Sequence, residues 1–127
     1  MDEGQVQYLS AREFLDLSGD AAILLDVRPE YELSRLFDVQ NILYCPYMEI
    51  DDNLDTLPKD KRLVIADAVG LRSKEVASEL KDYGFANIYH LAGGIVDWER
   101  CGHPVTTDKS KILTGSCMCQ LKTRKKK

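Results

Sequence analysis

Short apolar runs alternate with amphipathic segments along most of this chain, and this alternation constrains the fold more than any other feature. Two of the runs, AAILLDV at residues 21–27 and RLVIAD at 62–67, are apolar almost throughout, which is typical of strands covered on both faces of a sheet. Shorter runs at 41–46 (NILYCP) and 87–91 (NIYHL) continue the series. Strands that alternate with helices form parallel sheets joined by right-handed crossovers. We therefore expect an α/β fold with a parallel sheet and helices on both faces.

Helix signals fill the intervals between these runs. Ser10 and Glu13 form an S-x-x-E capping box, which predicts a helix that begins at Ala11 and ends near Ser18-Gly19. Pro29 at a first helical position predicts a short helix over PEYELSRLF. Apolar spacing predicts three more helical segments: the face formed by Ile50, Leu54 and Leu57, residues 73–83, and GIVDWER at 94–100.

The composition is that of a globular domain rather than of a membrane or secreted protein. Hydrophobic residues make up 44% of the 127 residues and charged residues 30%, and no apolar run is long enough to span a bilayer. The first residues, MDEGQVQYLS, lack the basic and apolar regions of a signal peptide. We therefore expect a cytoplasmic protein with no membrane contact, whose four cysteines are not a disulfide framework.

Charge is divided unevenly along the chain. Residues 106–127 hold seven Lys/Arg and one acid, whereas residues 1–105 hold ten Lys/Arg and twenty acids, so the body carries −10 and the C-terminal segment +6. The acidic body argues against nucleic-acid binding, and the terminal KTRKKK is interpreted as a solvated end. We predict one domain over residues 1–105 and an appended basic tail over residues 106–127.

The stretch ADAVGLRS, at residues 66–73, connects a predicted strand to the clearest predicted helix. Ligands of open parallel sheets bind at the carboxyl ends of the strands, where this loop lies. Backbone amides that converge at a helix N-terminus form a site for an anion. The loop begins with Asp67 and contains no cysteine.

Three stretches of the chain are similar to the rhodanese-like family. They are LLDVRPEYE, DAVGLRSKEVASELKDYGF and IYHLAGGIVDWERCGHPV, and the resemblance covers about residues 5–105. It implies a single rhodanese-like domain with a five-stranded parallel sheet, and a loop of pattern C-x-x-G-x-R after the fourth strand. In that family the loop cysteine takes a sulfur atom from a donor such as thiosulfate, holds it as a persulfide and passes it to a nucleophilic acceptor.

Asp67 stands where the family pattern has its cysteine, whereas Gly70 and Arg72 match the pattern. A carboxylate cannot carry sulfur as a persulfide, so we predict a degenerate loop with no catalytic residue at Asp67, Gly70, Arg72 or Ser73. We expect the Asp67 side chain to accept the loop amides and to pair with Arg72, as a built-in anion. An aspartyl-phosphate role for Asp67 is disfavoured, because no partner carboxylate for Mg²⁺ is recognisable beside it.

Asp26 and Arg28 match the DVR of the family, in which the usual role of these residues is to anchor loops near the pocket. We interpret them here as structural ion-pair partners rather than as substrate contacts. The segment SRLFDVQNI replaces a Gly-His pair that the family often has, so the wall of the pocket is expected to differ.

Cys117 and Cys119 form a C-x-C pair in the tail. Three alternatives stay open for this pair: unliganded thiols, a disulfide or persulfide, and a zinc site shared with Cys101 and His103. Zinc is the weakest of them, because the spacing is not a standard one, and no resident cofactor is expected. Three other residues are interpreted as packing residues: Cys45, His90 and Trp98.

The leading hypothesis is a rhodanese-like protein without the loop cysteine, which serves as a non-catalytic binding or regulatory module of sulfur or redox metabolism. Its partner would be a protein or sulfur carrier that the sequence does not identify. The alternative is a sulfurtransferase or persulfide carrier in which Cys117 or Cys119 replaces the missing loop cysteine.

Overall fold

The computed structural model describes residues 6–17 and 22–107, and the predicted α/β fold is confirmed. The helices in this part are α1 (Ala11–Leu17), α2 (Leu71–Asp82) and α3 (Gly94–Arg100). The strands are β1 (Gln7–Leu9), β2 (Ala22–Asp26), β3 (Leu36–Phe37), β4 (Ile42–Tyr44), β5 (Arg62–Ala66), β6 (Ile88–Leu91) and β7 (Val105–Thr106). Five of them form a parallel sheet in the order β1-β6-β5-β2-β4, whereas β3 and β7 form a separate antiparallel pair.

Helices cover both faces of the five-stranded sheet, as the apolar runs predicted. Successive strand residues point to opposite faces, so neighbours in β5 belong to different cores. Leu63 and Ile65 lie in the core that also contains Val76, Ala77 and Leu80 of α2. The other core joins Val64 and Ala66 to Phe14 of α1 and to Ile95 and Trp98 of α3. The loops at the carboxyl ends of the strands are therefore carried by a rigid two-sided scaffold.

The capping box at the start of α1 forms as predicted. The Glu13 amide donates to Ser10 Oγ at 3.0 Å, and the Ser10 amide donates to Glu13 Oε1 at 2.9 Å. These bonds satisfy two backbone donors that a helix start leaves open. The helix begins at Ala11, and its predicted end near Ser18-Gly19 lies outside the described residues.

The predicted helix over PEYELSRLF is wrong. The segment contains a single 3-10 turn at Glu30–Glu32, followed by the extended pair β3. Arg28 explains the difference, because its guanidinium donates to the carbonyls of Glu32 and Arg35 at 2.9 Å each. An α-helix over residues 29–37 would need the Glu32 carbonyl for its own ladder, and the bond to the Arg35 carbonyl holds the chain where β3 begins. The pairing of β3 with β7 also adds a sheet element that was not predicted.

The apolar spacing of Ile50, Leu54 and Leu57 predicted burial correctly but not a continuous helix. Two 3-10 turns, Tyr47–Glu49 and Asp51–Asn53, occupy this region, while Ile50 and Leu57 are buried and Leu54 packs against them. No helix among residues 6–17 and 22–107 has the length and apolar character needed to cross a membrane.

Candidate functional site

The loop that follows β5 closes on the side chain of Asp67. Its Oδ1 accepts the Gly70 amide at 2.6 Å, and its Oδ2 accepts the Arg72 amide at 2.9 Å. Gly70 has φ +97°, which lets the chain turn into α2 two residues before the predicted helix start. Only 5% of Asp67 is exposed, so its carboxylate fills the point on which these amides converge.

Helix α3 holds the same loop from behind. The Ile95 amide donates to the Asp67 carbonyl and the Val96 amide to the Ala68 carbonyl, both at 3.0 Å. Gly94 permits this approach, because a Cβ added there would clash with the Ala68 carbonyl. The loop backbone is thus fixed by its own carboxylate on one side and by the first turn of α3 on the other.

Arg72 contacts Asp67 through its backbone rather than through its side chain. The guanidinium carbon of Arg72 lies 3.9 Å from the centre of the Tyr47 ring, within the range of a cation–π interaction. The contact between Asp67 and Arg72 is therefore made by the Arg72 amide. The two carboxylate oxygens of Asp67 accept backbone amides, and the guanidinium of Arg72 packs on the ring of Tyr47.

Asp26 and Arg28 form a buried ion pair below the loop. Arg28 Nη2 donates to Asp26 Oδ2 at 2.7 Å and Nε to Oδ1 at 3.0 Å, and the two side chains are 3% and 0% exposed. Burial raises the pKa of Asp26, and the adjacent Arg28 opposes that shift. Because Arg28 also binds the carbonyls of Glu32 and Arg35, the pair anchors the segment that leads into β3.

A cavity of about 260 Å³ opens beside the loop, between the segment after β2 and the first turns of α2. Its charged lining residues are Arg28, Glu32, Asp67, Arg72 and Glu75. Sequence reasoning missed Glu32 and Glu75, because neither belongs to the loop motif and they come from distant segments. No local pattern could have brought them together.

Ser73, which was grouped with the loop, lies in the first turn of α2 and is fully buried. Its Oγ has no hydrogen-bond partner among the residues that the structure describes. Ser73 does not line the cavity beside the loop, whereas Asp67 and Arg72 do.

The described cysteines lie apart from the loop. Cys45 is 1% exposed, and burial raises the pKa of its thiol to about 11, which leaves it almost wholly protonated near neutral pH. Cys101 is exposed at the end of α3, and the ring of His103 packs 5.3 Å from that of Trp98. Cys117 and Cys119 lie outside the described residues. Within residues 6–17 and 22–107 no group of three or more His, Cys, Asp or Glu side chains could hold a metal ion.

His90 has an environment that the sequence did not reveal. It is 8% exposed, and its Nδ1 has no partner within the described part of the chain. Burial, together with the positive charge of Lys74, lowers its pKa. Its ring centre lies 6.0 Å from that of Tyr8. The imidazole therefore packs as expected, while its Nδ1 makes no hydrogen bond to the described residues.

Comparison with known proteins gives one consistent result. A family model for the rhodanese-like domain matches residues 10–101. The chain is 33% identical over 94 residues to the probable adenylyltransferase/sulfurtransferase MoeZ of Mycobacterium tuberculosis. This match covers 73% of this chain and 24% of that protein. It is 31% identical over 88 residues to the thiosulfate sulfurtransferase GlpE of Actinobacillus succinogenes, covering 68% of this chain and 77% of that one.

A solved structure agrees with these relatives. The crystal structure of a rhodanese-related protein from Thermoplasma volcanium has a TM-score of 0.72 and 28% identity, over 80% of this chain and 99% of that one. The relatives thus include sulfurtransferases, and the chain spans about a quarter of the length of MoeZ.

Proposed function

The chain belongs to the rhodanese-like domain family, and from that premise we propose that it is a non-catalytic binding or regulatory module of sulfur or redox metabolism. One observation carries this proposal: the Asp67 carboxylate accepts the amides of Gly70 and Arg72 at 2.6 and 2.9 Å. The amides that would stabilise a sulfur anion in a family enzyme are bonded to the protein itself.

Chemistry and charge both oppose sulfur transfer at this loop. We propose that Asp67 replaces the family's cysteine, and a carboxylate has no sulfur atom on which a persulfide could form. An anion about 4 Å from Asp67 would also meet a repulsion of roughly 4 kcal/mol at an effective dielectric constant of 20. Thiosulfate should therefore bind the loop poorly.

The remaining expectations belong to the same proposal. The module would comprise residues 1–105, would act in the cytoplasm, and would bind a protein or sulfur carrier rather than a nucleic acid or a membrane. Residues 106–127 would be an appendage. The alternative, a persulfide carrier that uses Cys117 or Cys119, rests on the C-x-C sequence alone.

The deciding experiment is sulfur uptake by the full chain. The protein is incubated with thiosulfate or glutathione persulfide, its intact mass is measured, and any added sulfur is located by peptide mapping. The thiosulfate sulfurtransferase GlpE of Actinobacillus succinogenes serves as the positive control for sulfur transfer from thiosulfate. We expect no sulfur on the loop and no turnover.

Turnover on the order of 1 to 1000 per second would contradict the proposal. A mass gain of one sulfur atom that maps to Cys117 or Cys119 would replace it with the persulfide-carrier alternative.

A further inference from the structure

The cavity beside the loop has the opposite charge from a site for thiosulfate. Three carboxylates line it: Glu32, Asp67 and Glu75. Of the two guanidinium groups, that of Arg28 is neutralised by its buried pair with Asp26, and only that of Arg72 remains. The charged lining residues sum to −1, and to −2 when the Asp26 carboxylate that pairs with Arg28 is counted with them.

The carboxylates of Glu32 and Glu75 carry the negative charge of the cavity that is left unpaired within the described residues. In residues 6–17 and 22–107, neither carboxylate has an ion-pair or hydrogen-bond partner. Asp67 differs, since it is already bound to two amides. A cation that entered the cavity would thus meet two free carboxylates, whereas an anion would meet no free loop amide from Gly70 or Arg72.

Exposed apolar side chains flank the cavity. Val69 and Leu71 line it and are 51% and 75% exposed, and Tyr31, next to Glu32, is 83% exposed. Exposed apolar side chains that gather in one region of a surface, with polar groups beside them, mark sites that bind other polypeptides. The volume of about 260 Å³ is below the usual range for a small-molecule pocket and suits the end of one side chain.

The described chain ends beside this surface. Thr106 pairs with Leu36 and Val105 with Phe37, so the antiparallel strand β7 runs toward Arg35. The carbonyl of Arg35 is held by Arg28, which lines the cavity. The last described residues therefore lie next to the segment that forms one wall of the acidic cavity.

The twenty residues that follow Thr107 have the complementary chemistry. They contain seven Lys/Arg and one acid, with an apolar pair, Ile112-Leu113, directly after Lys109 and Lys111. At roughly 3.3 Å per extended residue, these lysines lie within about 15 Å of chain from Thr107.

We propose that the acidic cavity and its apolar rim bind the chain's own C-terminal segment. The amine of Lys109 or Lys111 occupies the cavity between Glu32 and Glu75, and Ile112-Leu113 covers Val69 and Leu71. A partner of the module must then displace this segment. The inference rests on the proposed function in one respect, namely that Asp67 occupies the loop amides and leaves only a cation site.

Zero-length cross-linking of the full chain tests this contact. A carbodiimide joins a carboxylate to an amine that touches it, and proteolysis with mass spectrometry identifies the joined residues. We expect cross-links in the monomer from Glu32 or Glu75 to Lys109 or Lys111. They should disappear in 1 M salt, where charges a few ångströms apart are screened.

Single substitutions show whether the charge of the cavity drives the contact. In Glu32→Gln the remaining Glu75 reports the cross-link, and in Glu75→Gln the remaining Glu32 does. In each variant we expect the yield of the cross-link to the remaining glutamate to be up to about fivefold lower than in the natural chain. A decrease of this size is the effect of losing one charge contact near a surface. Glu79→Gln, at an exposed position on α2 away from the cavity, is the matched control and should change nothing.

Three outcomes overturn the proposal: no cross-links to Glu32 or Glu75, cross-links only in dimers, which would make a second copy the occupant, or cross-links indifferent to these substitutions. Sulfur uptake is measured on the same samples. Sulfur on Cys117 or Cys119 with the cross-links intact would refute the proposed function alone, and missing cross-links without sulfur uptake would refute the docking alone.

Discussion

The Asp67 carboxylate accepts the Gly70 amide at 2.6 Å, so the loop after β5 binds a side chain of its own at the N-terminus of α2. The carbonyls of Asp67 and Ala68 are held in turn by α3. The loop is thus held on one side by the Asp67 carboxylate and on the other by the first turn of α3.

Asp67→Cys should restore persulfide formation. The substitution would free the amides of Gly70 and Arg72 and place a thiol at the N-terminus of α2, where a thiolate is stabilised. We expect one sulfur atom per protein from a persulfide donor, measured by intact mass and located on the loop by peptide mapping. Asp67→Ser, which frees the same amides without a thiol, is the control. A folded Asp67→Cys protein that takes up no sulfur on the loop would show that the pocket itself has diverged.

Asp26→Asn should destabilise the fold strongly, because it leaves the Arg28 guanidinium buried without a counter-charge. Breaking a buried pair in this way costs about 3 to 5 kcal/mol in the free energy of unfolding. The exposed pair of Arg35 with Glu99 supplies the control, since Glu99→Gln should cost less than about 1 kcal/mol. Urea unfolding followed by circular dichroism measures both. Equal losses for the two variants would contradict a structural role for Asp26.

His90 should make the domain less stable in mild acid. Burial lowers its pKa below the ordinary 6.5, so the folded state favours the neutral imidazole. Below about pH 6.5 the His90 side chain takes up a proton in the unfolded chain but not in the folded chain. The free energy of unfolding therefore decreases as the pH falls from about 6.5 through the lowered pKa of the folded state. The urea midpoint of the natural chain should therefore drop more between pH 7.5 and 5.5 than that of His90→Gln. His103→Gln, at the other histidine, should behave like the natural chain.

Removal of residues 107–127 should leave the thermal midpoint nearly unchanged. The pairing of β7 with β3 is retained, as are the bonds that the Pro104 carbonyl accepts from Trp98 Nε1 at 2.7 Å and from the Asp38 amide at 3.1 Å. Removal of residues 103–127 takes all of these away and should lower the midpoint clearly. Any thiol or persulfide chemistry of Cys117 and Cys119 should vanish in both truncated proteins.

A shorter chain that unfolds after the first truncation, or that still reacts with a persulfide donor as the full chain does, would refute this division between scaffold and tail. Calorimetry and intact mass provide the two measurements.

Local patterns predicted the sheet because they follow from local geometry. Continuous apolar runs predicted β2 and β5, and the Ser10–Glu13 capping box predicted the start of α1, since each depends on residues a few positions apart. Strand β1 was missed because QYL is short and partly polar. The helix predicted after Pro29 did not form, because the Arg28 guanidinium binds the carbonyls of Glu32 and Arg35 and holds the segment in another conformation. No helix propensity contains that contact.

The sequence alone determined that Asp67, and no cysteine, begins the loop between a buried strand and a helix, and that choice of atom rules out a persulfide there. Only the tertiary structure decided what surrounds it. Parallel crossovers brought Glu32 from the segment after β2 and Glu75 from α2 to one cavity, and the Arg28–Asp26 pair removed one of its positive charges. The net charge of a pocket is the sum over residues that are distant in sequence but close in space. It is therefore decided only when the strands and helices that carry those residues pack together.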